Sequence, residues 1–154
     1  MTGANPESLI GREGEPFALA VETGKIREFA RATKSRNAAY SVSENAVSPV
    51  TFLMTADHWM TKVNLPWGDH QRNLARVLHA EQEFVFHGEP PRAGDVLTGR
   101  CRIEMAFDKE GKRGGTLSFA VLLWEYWNAS GRLVAEVRFT QVETKKAPKA
   151  DGNG

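Results

Sequence analysis

The chain has 154 residues, 41% of them hydrophobic, with 20 Lys and Arg against 19 Asp and Glu and a formal charge of +1. That length suits one domain with a substantial core rather than two, and near-neutrality leaves no field to gather nucleic acid or an anionic membrane surface. A lone cysteine, Cys101, excludes an internal disulfide. With neither a basic start before an apolar stretch nor 18 consecutive apolar residues, a soluble cytoplasmic protein is the default expectation.

In chain order, residues 1–14 mix Gly, Pro and charge without periodicity and read as a flexible arm. Residues 16–22 (PFALAVE) predict a short strand. In residues 23–34 the spacing of Ile26, Phe29, Ala30 and Thr33 predicts an amphipathic helix. An irregular bend follows to Val47. Ser48 and Pro49 then form a cap-and-proline helix start, and Phe52, Leu53, Ala56, Trp59, Met60 and Val63 make a broad apolar stripe suited to burial against a sheet. Residues 64–73 read as loop, with His70 solvated. Strands are predicted at 79–87, 95–107, 115–127 and 131–142, separated by Gly-containing turn clusters and joined as three consecutive hairpins. Residues 144–154 read as a disordered tail. The pattern predicts an α+β layer fold: one domain over residues 15–143, with an antiparallel sheet of about five strands wrapped round a central apolar helix.

Period-two alternation sends His79, Glu81, Glu83, Val85 and His87 to one face of their strand and Ala80, Gln82, Phe84 and Phe86 to the other. Two histidines eight residues apart on a strand lie roughly 26 Å apart, at about 3.3 Å per residue, so they cannot share a metal ion. Cys101, inside an alternating run, reads as a core filler. Phe119, Trp124, Tyr126 and Trp127 read as core and interface rather than a stacking platform for single-stranded nucleic acid, given the neutral charge.

The order of "KIREFARAT", the bend, "SPVTFL" and the pattern from His79 to Asp95 ("HAEQEFVFHGEPPRAGD") resembles the N-terminal MaoC-like dehydratase domain, a hot-dog fold, over residues 8 to 143. It is most similar to the non-catalytic subunits of heterodimeric (3R)-hydroxyacyl-carrier-protein dehydratases. Active members of that family place an Asp and a His five residues apart in the bend, where together they hold a water and handle the α-proton and the hydroxyl. On that pattern Ser35 stands at the Asp position, Asn37 at the Asn and Tyr40 at the His. The bend from Ser35 to Val47 holds neither Asp nor His, and a serine hydroxyl without an activator is no base near neutral pH. Active members also open the central helix with a His-Gly pair whose backbone N–H polarises the thioester carbonyl. Ser48-Pro49 occupies that position, and proline has no N–H.

The resemblance therefore implies no catalytic residue in this chain and no metal or redox cofactor. It implies an acyl-CoA or acyl-carrier-protein thioester as ligand, with Asn37, Tyr40, Pro49, Phe52, Met54, Asp57 and His58 as the expected contacts. Asn37 and Tyr40 read first as loop residues with local hydrogen bonds and only second as substrate contacts. Adjacent on a helix, Asp57 and His58 point about 100° apart and do not converge on one water. The implied partner is a catalytic MaoC-like subunit, or a second copy in a homodimer. Hot-dog domains pair side by side into one continuous sheet with the thioester arm between protomers. Two other expectations stand beside this one: an acyl-CoA thioesterase, for which Asp57 is the helix carboxylate, and a non-enzymatic acyl-binding homodimer.

Overall fold

The computed structural model describes residues 5–41, 45–70, 72–112 and 115–145. Its regular elements are β1 (Phe17–Ala20), α1 (Thr23–Ala32), β2 (Val77–Phe86), β3 (Val96–Glu110), β4 (Thr116–Trp127) and β5 (Leu133–Thr144). The five strands form one antiparallel sheet in the order β1-β3-β4-β5-β2. Helix α1 buries Ile26 and Ala30, and Phe29 meets Phe52 edge-on at 5.8 Å. This is the expected hot-dog architecture. Among the described residues no helix is long and apolar enough to cross a membrane.

The sheet departs from the predicted hairpins in one respect. β3–β4 and β4–β5 are hairpins, but β2 pairs with β5 and not with β3. The eight residues after His87 carry the chain to the far side of the sheet, where β3 receives β1 instead. Sequence adjacency favours pairing without requiring it.

A second departure lies inside β2. The register shifts between His79 and Glu81, and this bulge inserts a residue that reverses the facing of everything before it. His79 therefore stacks on Phe139, centroids 4.4 Å apart, on the same face as Gln82, Phe84 and Phe86. Glu81 and Glu83 keep the expected outer face.

The central helix is also shorter than its apolar stripe implies. Only Phe52–His58 is helical, as 3₁₀ turns, followed by a second turn at Lys62–Asn64. Phe52, Leu53 and Ala56 are buried while Val50, Trp59 and Val63 are exposed, so the stripe never closes into one α-helical face. Three threonines within eleven residues, at 51, 55 and 61, restrict χ1 and disfavour a continuous helix. The Tyr126 hydroxyl donates to the Leu53 carbonyl at 3.2 Å and ties the 3₁₀ segment to the sheet.

From residue 5 onward the predicted loose arm is hydrogen-bonded structure. Pro6–Leu9 is a 3₁₀ turn capped by Asn5, and Leu9 enters the core. Gly11 and Gly14 donate to Ile103 and Cys101 carbonyls at 2.9 Å each, and Arg12 accepts from Ile103. The segment thus extends the β1 side of β3. Gly14 sits against the Asn64 backbone with no room for a Cβ. His70 is half-buried beside Trp67 rather than solvated. The expectations for residues 1–4 and for the tail 146–154 lie outside the described residues.

Candidate functional site

The bend that should carry proton chemistry is built from self-satisfied turns. Helix α1 ends with Ser35 N donating to the Ala30 carbonyl at 2.8 Å and Lys34 N to the Arg31 carbonyl at 3.0 Å, a Schellman closure. Lys34 supplies the left-handed residue, φ 55°. The Ser35 hydroxyl accepts from Asn37 N at 3.3 Å, and the Asn37 carboxamide oxygen accepts from Ala39 N at 3.0 Å, capping the Ala38–Tyr40 turn. Both polar side chains are spent within the bend. The bend's residues 42–44 lie outside the described residues.

The bend then fastens to the loop after β2. Val47 bridges Arg92, Ala93 N donates to the Ala46 carbonyl and Ser48 N to the Pro91 carbonyl, both at 2.8 Å. The consequence at the helix start is direct. Pro49 has no N–H to offer, and the Ser48 N–H is already engaged. Ser48 is 2% exposed, and its hydroxyl has no hydrogen-bond partner among the described residues.

The expected contact residues separate into three groups. Pro49 and Phe52 are buried, Phe52 within the core. Tyr40 and Met54 are half-buried and pack against that same core. Asn37, Asp57 and His58 are exposed, and Asn37 remains inside its own turn. Trp59 next door is also exposed, with the Lys25 ammonium 5.3 Å from its ring. The structure thus gathers Tyr40, Phe52 and Met54 around one apolar centre, with Pro49 buried at the helix start and Asp57 and His58 exposed.

Beneath the 3₁₀ segment lie Cys101 and Tyr126. Burial pushes the Cys101 thiol far above its ordinary value of 9.0, and the Asp57 charge adds to the effect, against an opposing pull from the Trp124 indole. Burial likewise pushes the Tyr126 hydroxyl up, helped by Cys101 and Asp57. Neither is a nucleophile or base near neutral pH. Among the described residues no three His, Cys, Asp or Glu side chains converge as metal ligands. His79 and His87 lie on opposite faces, His87 being paired with Glu136 at 2.8 Å on the outer one.

Sequence reasoning passed over one concavity. The loop 88–95 and the β4–β5 turn enclose a cleft of about 430 Å³, walled by Pro91, Arg92, Leu97 and Val134 and rimmed by Arg132 and Glu89. The "GEPPRAG" run reads as a turn cluster, and only the crossing from β2 to β3 brings it against Asn128 and Arg132. That crossing was the topological feature missed.

Residues 8–137 match the family model of the FAS1-like dehydratase domain region. The chain belongs to that family. Within the FAS1-like dehydratase family it is 32% identical, over 95% of its own length and 96% of the relative's, to a UPF0336 protein of Saccharopolyspora erythraea. A solved HadBC (3R-hydroxyacyl-ACP dehydratase) complex from Mycobacterium tuberculosis superposes with a TM-score of 0.70 at 26% identity, covering 87% of this chain and 96% of that one. The ChsH1-ChsH2 complex of the same organism gives 0.64 at 14% identity, covering 90% and 87%. The MaoC-like hot-dog resemblance of the sequence is thereby shown.

Proposed function

We propose that this FAS1-like dehydratase-family chain is the acyl-thioester-binding, non-catalytic subunit of a (3R)-hydroxyacyl-thioester dehydratase or enoyl-thioester hydratase. It works beside a catalytic MaoC-like hot-dog subunit. The observation that carries this is the state of the bend and helix start. Where proton transfer is expected, Ser35 and Asn37 are committed to local turns, and the backbone donor at the helix start is either absent, at Pro49, or bonded to Pro91, at Ser48. Loss of one oxyanion donor alone costs about 100-fold or more in rate. The apolar centre around Tyr40, Phe52 and Met54 remains as a wall for an acyl chain. The HadBC complex, whose fold this chain shares, is an assembly of two different chains. That supports division of labour: one protomer holds the thioester arm while the other supplies the water.

The test is hydration of crotonyl-CoA by the purified chain, alone and mixed with a catalytic MaoC-like subunit from the same genome. No turnover alone, together with a co-eluting complex whose crotonyl-CoA hydration exceeds that of the catalytic subunit by itself, is the expected result. Robust turnover by the chain alone would overturn the reading.

A further inference from the structure

The cleft between the loop after β2 and the β4–β5 turn has two unlike sides over one apolar floor. The floor is Pro90 and Pro91 from the loop, Leu97 from β3 and Val134 from β5, the last two buried. On the loop side the charges are engaged. Glu89 holds the Arg92 guanidinium at 2.8 Å, and the Asp95 carboxylate accepts from the Arg92 backbone N–H at 2.8 Å.

The turn side presents donors instead. The Asn128 side-chain oxygen accepts from Ser130 N at 3.1 Å, from the Ser130 hydroxyl at 2.7 Å and from Arg132 N at 3.0 Å. That closes the turn, fixes the backbone of Arg132 and leaves the Asn128 amide nitrogen without an acceptor among the described residues. Arg132 is exposed, and its guanidinium has no partner among the described residues either. A guanidinium offers its donors in a planar fork that matches the oxygens of a phosphate. An apolar floor with a few polar groups gathered on one rim is the make-up of a ligand site, and about 430 Å³ lies within the usual size range.

The place of the cleft selects its ligand. The Pro91 carbonyl, in its wall, accepts from Ser48 N at 2.8 Å, and Arg92 bridges Val47. The cleft therefore adjoins the start of the central segment, where Pro49 leads to Phe52 and Met54. An acyl thioester is carried on an uncharged, amide-linked arm that ends in a phosphate, whether the carrier is CoA or a carrier protein. We infer that the cleft seats this phosphopantetheine arm. The arm lies over Pro90 and Pro91 with its thioester end toward Pro49, and Arg132 holds the phosphate with the Asn128 amide as a second donor. Glu89 does not bar the anion, because Arg92 already balances its charge. This rests on the acyl-thioester reading given above and adds to it a place for the carrier.

Titration calorimetry on the full chain, alone and in complex with the catalytic subunit, tests the inference. The probes are the hexanoyl thioesters of CoA, of phosphopantetheine and of pantetheine, which lacks the phosphate. Hexanoyl-pantetheine should bind about tenfold more weakly than hexanoyl-phosphopantetheine. Arg132→Gln should weaken the phosphorylated thioesters by the same factor and leave hexanoyl-pantetheine unchanged, while Arg132→Lys should recover part of the loss. Because the Arg132 side chain is exposed, both variants fold, which an unchanged thermal transition would verify. A hexanoyl carrier protein separates the sources of the arm: tighter binding than hexanoyl-CoA assigns it to a carrier protein, weaker binding to CoA, and in both cases Arg132→Gln must weaken the preferred ligand. Equal affinity of Arg132→Gln and wild type for hexanoyl-phosphopantetheine would overturn the inference and leave the acyl-thioester reading standing. Failure of every thioester to bind wild type, alone and in the complex, would overturn both.

Discussion

Two rows of residues one step apart on the same four strands contrast the faces of the sheet. The inner row, Phe84, Val137, Trp124 and Cys101, is apolar, and all but the half-buried Phe84 are closed from solvent. The outer row, Glu83, Arg138, Leu123 and Arg102, carries charge on either side of a leucine that is 1% exposed. The cross-strand neighbours of Leu123 are Arg102 and Arg138, whose guanidinium groups reach Glu104, Glu125 and Glu136. Identical backbone thus supports two kinds of stability: area removed from water on one side and charge pairing in partial solvent on the other. Mutation should tell them apart.

The largest effect is expected inside. Trp124→Ala should cost about 3–5 kcal/mol through lost burial and the cavity left behind, measured as a fall in the denaturant midpoint at unchanged slope. A loss below about 1 kcal/mol would mean that the inner row does not hold the fold. Next, alkaline titration should report the same face. Cys101 and Tyr126 are held protonated in the fold, above ordinary values of 9.0 and 10.0. Their contribution is complete below those values and declines above them, because only the unfolded chain then releases the protons. Stability should fall by up to about 1.4 kcal/mol per pH unit for each group between roughly pH 9 and 11. Cys101→Ala should remove the component that sets in first.

On the outer face, Arg138→Met should cost only about 1 kcal/mol, since the arginine and its partners are partly solvated, and the loss should shrink in high salt. The hydrogen bond to Glu104 and the surrounding carboxylates hold the Arg138 guanidinium pKa above its ordinary value, so this contribution does not vary across the neutral range. A loss comparable to that of Trp124→Ala would erase the distinction between the faces. The smallest expected change touches neither. Lys34→Gly relieves the left-handed position that closes α1 and should stabilise by about 0.5–1 kcal/mol; a destabilisation would mean that the lysine side chain has a role of its own.

What could be read from the residues follows the same division. Strand positions were legible because alternation and Gly-rich turns are local signals, and β3, β4 and β5 begin and end within three residues of expectation. The pairing of β2 with β5 was not legible, since nothing local says which strand a connection will cross. The facing of His79 depended on a bulge of one residue, and a single insertion inverts a period-two reading. The central helix was overextended because its apolar residues satisfy a helical period that its threonines and its 3₁₀ hydrogen bonds do not. At the candidate site, the missing Asp, His and backbone donor were visible as letters. The engagement of Ser48 N with Pro91 was not, because that bond joins segments more than forty residues apart.

The two margins of the sheet are unequal, and this bears on how many domains can be strung together. At one margin, β1 has four residues and is followed upstream by Pro16, and there Glu15 N bonds to Val63 while the Asn64 carboxamide reaches the carbonyls of Glu15 and Pro16. That side is short, proline-broken and overlaid, the features by which proteins blunt a border against strand addition. At the other margin runs the ten-residue β2. Lateral growth of such a sheet has one permitted direction, so two chains joined through their long margins terminate each other, and the product is a closed pair rather than a fibre.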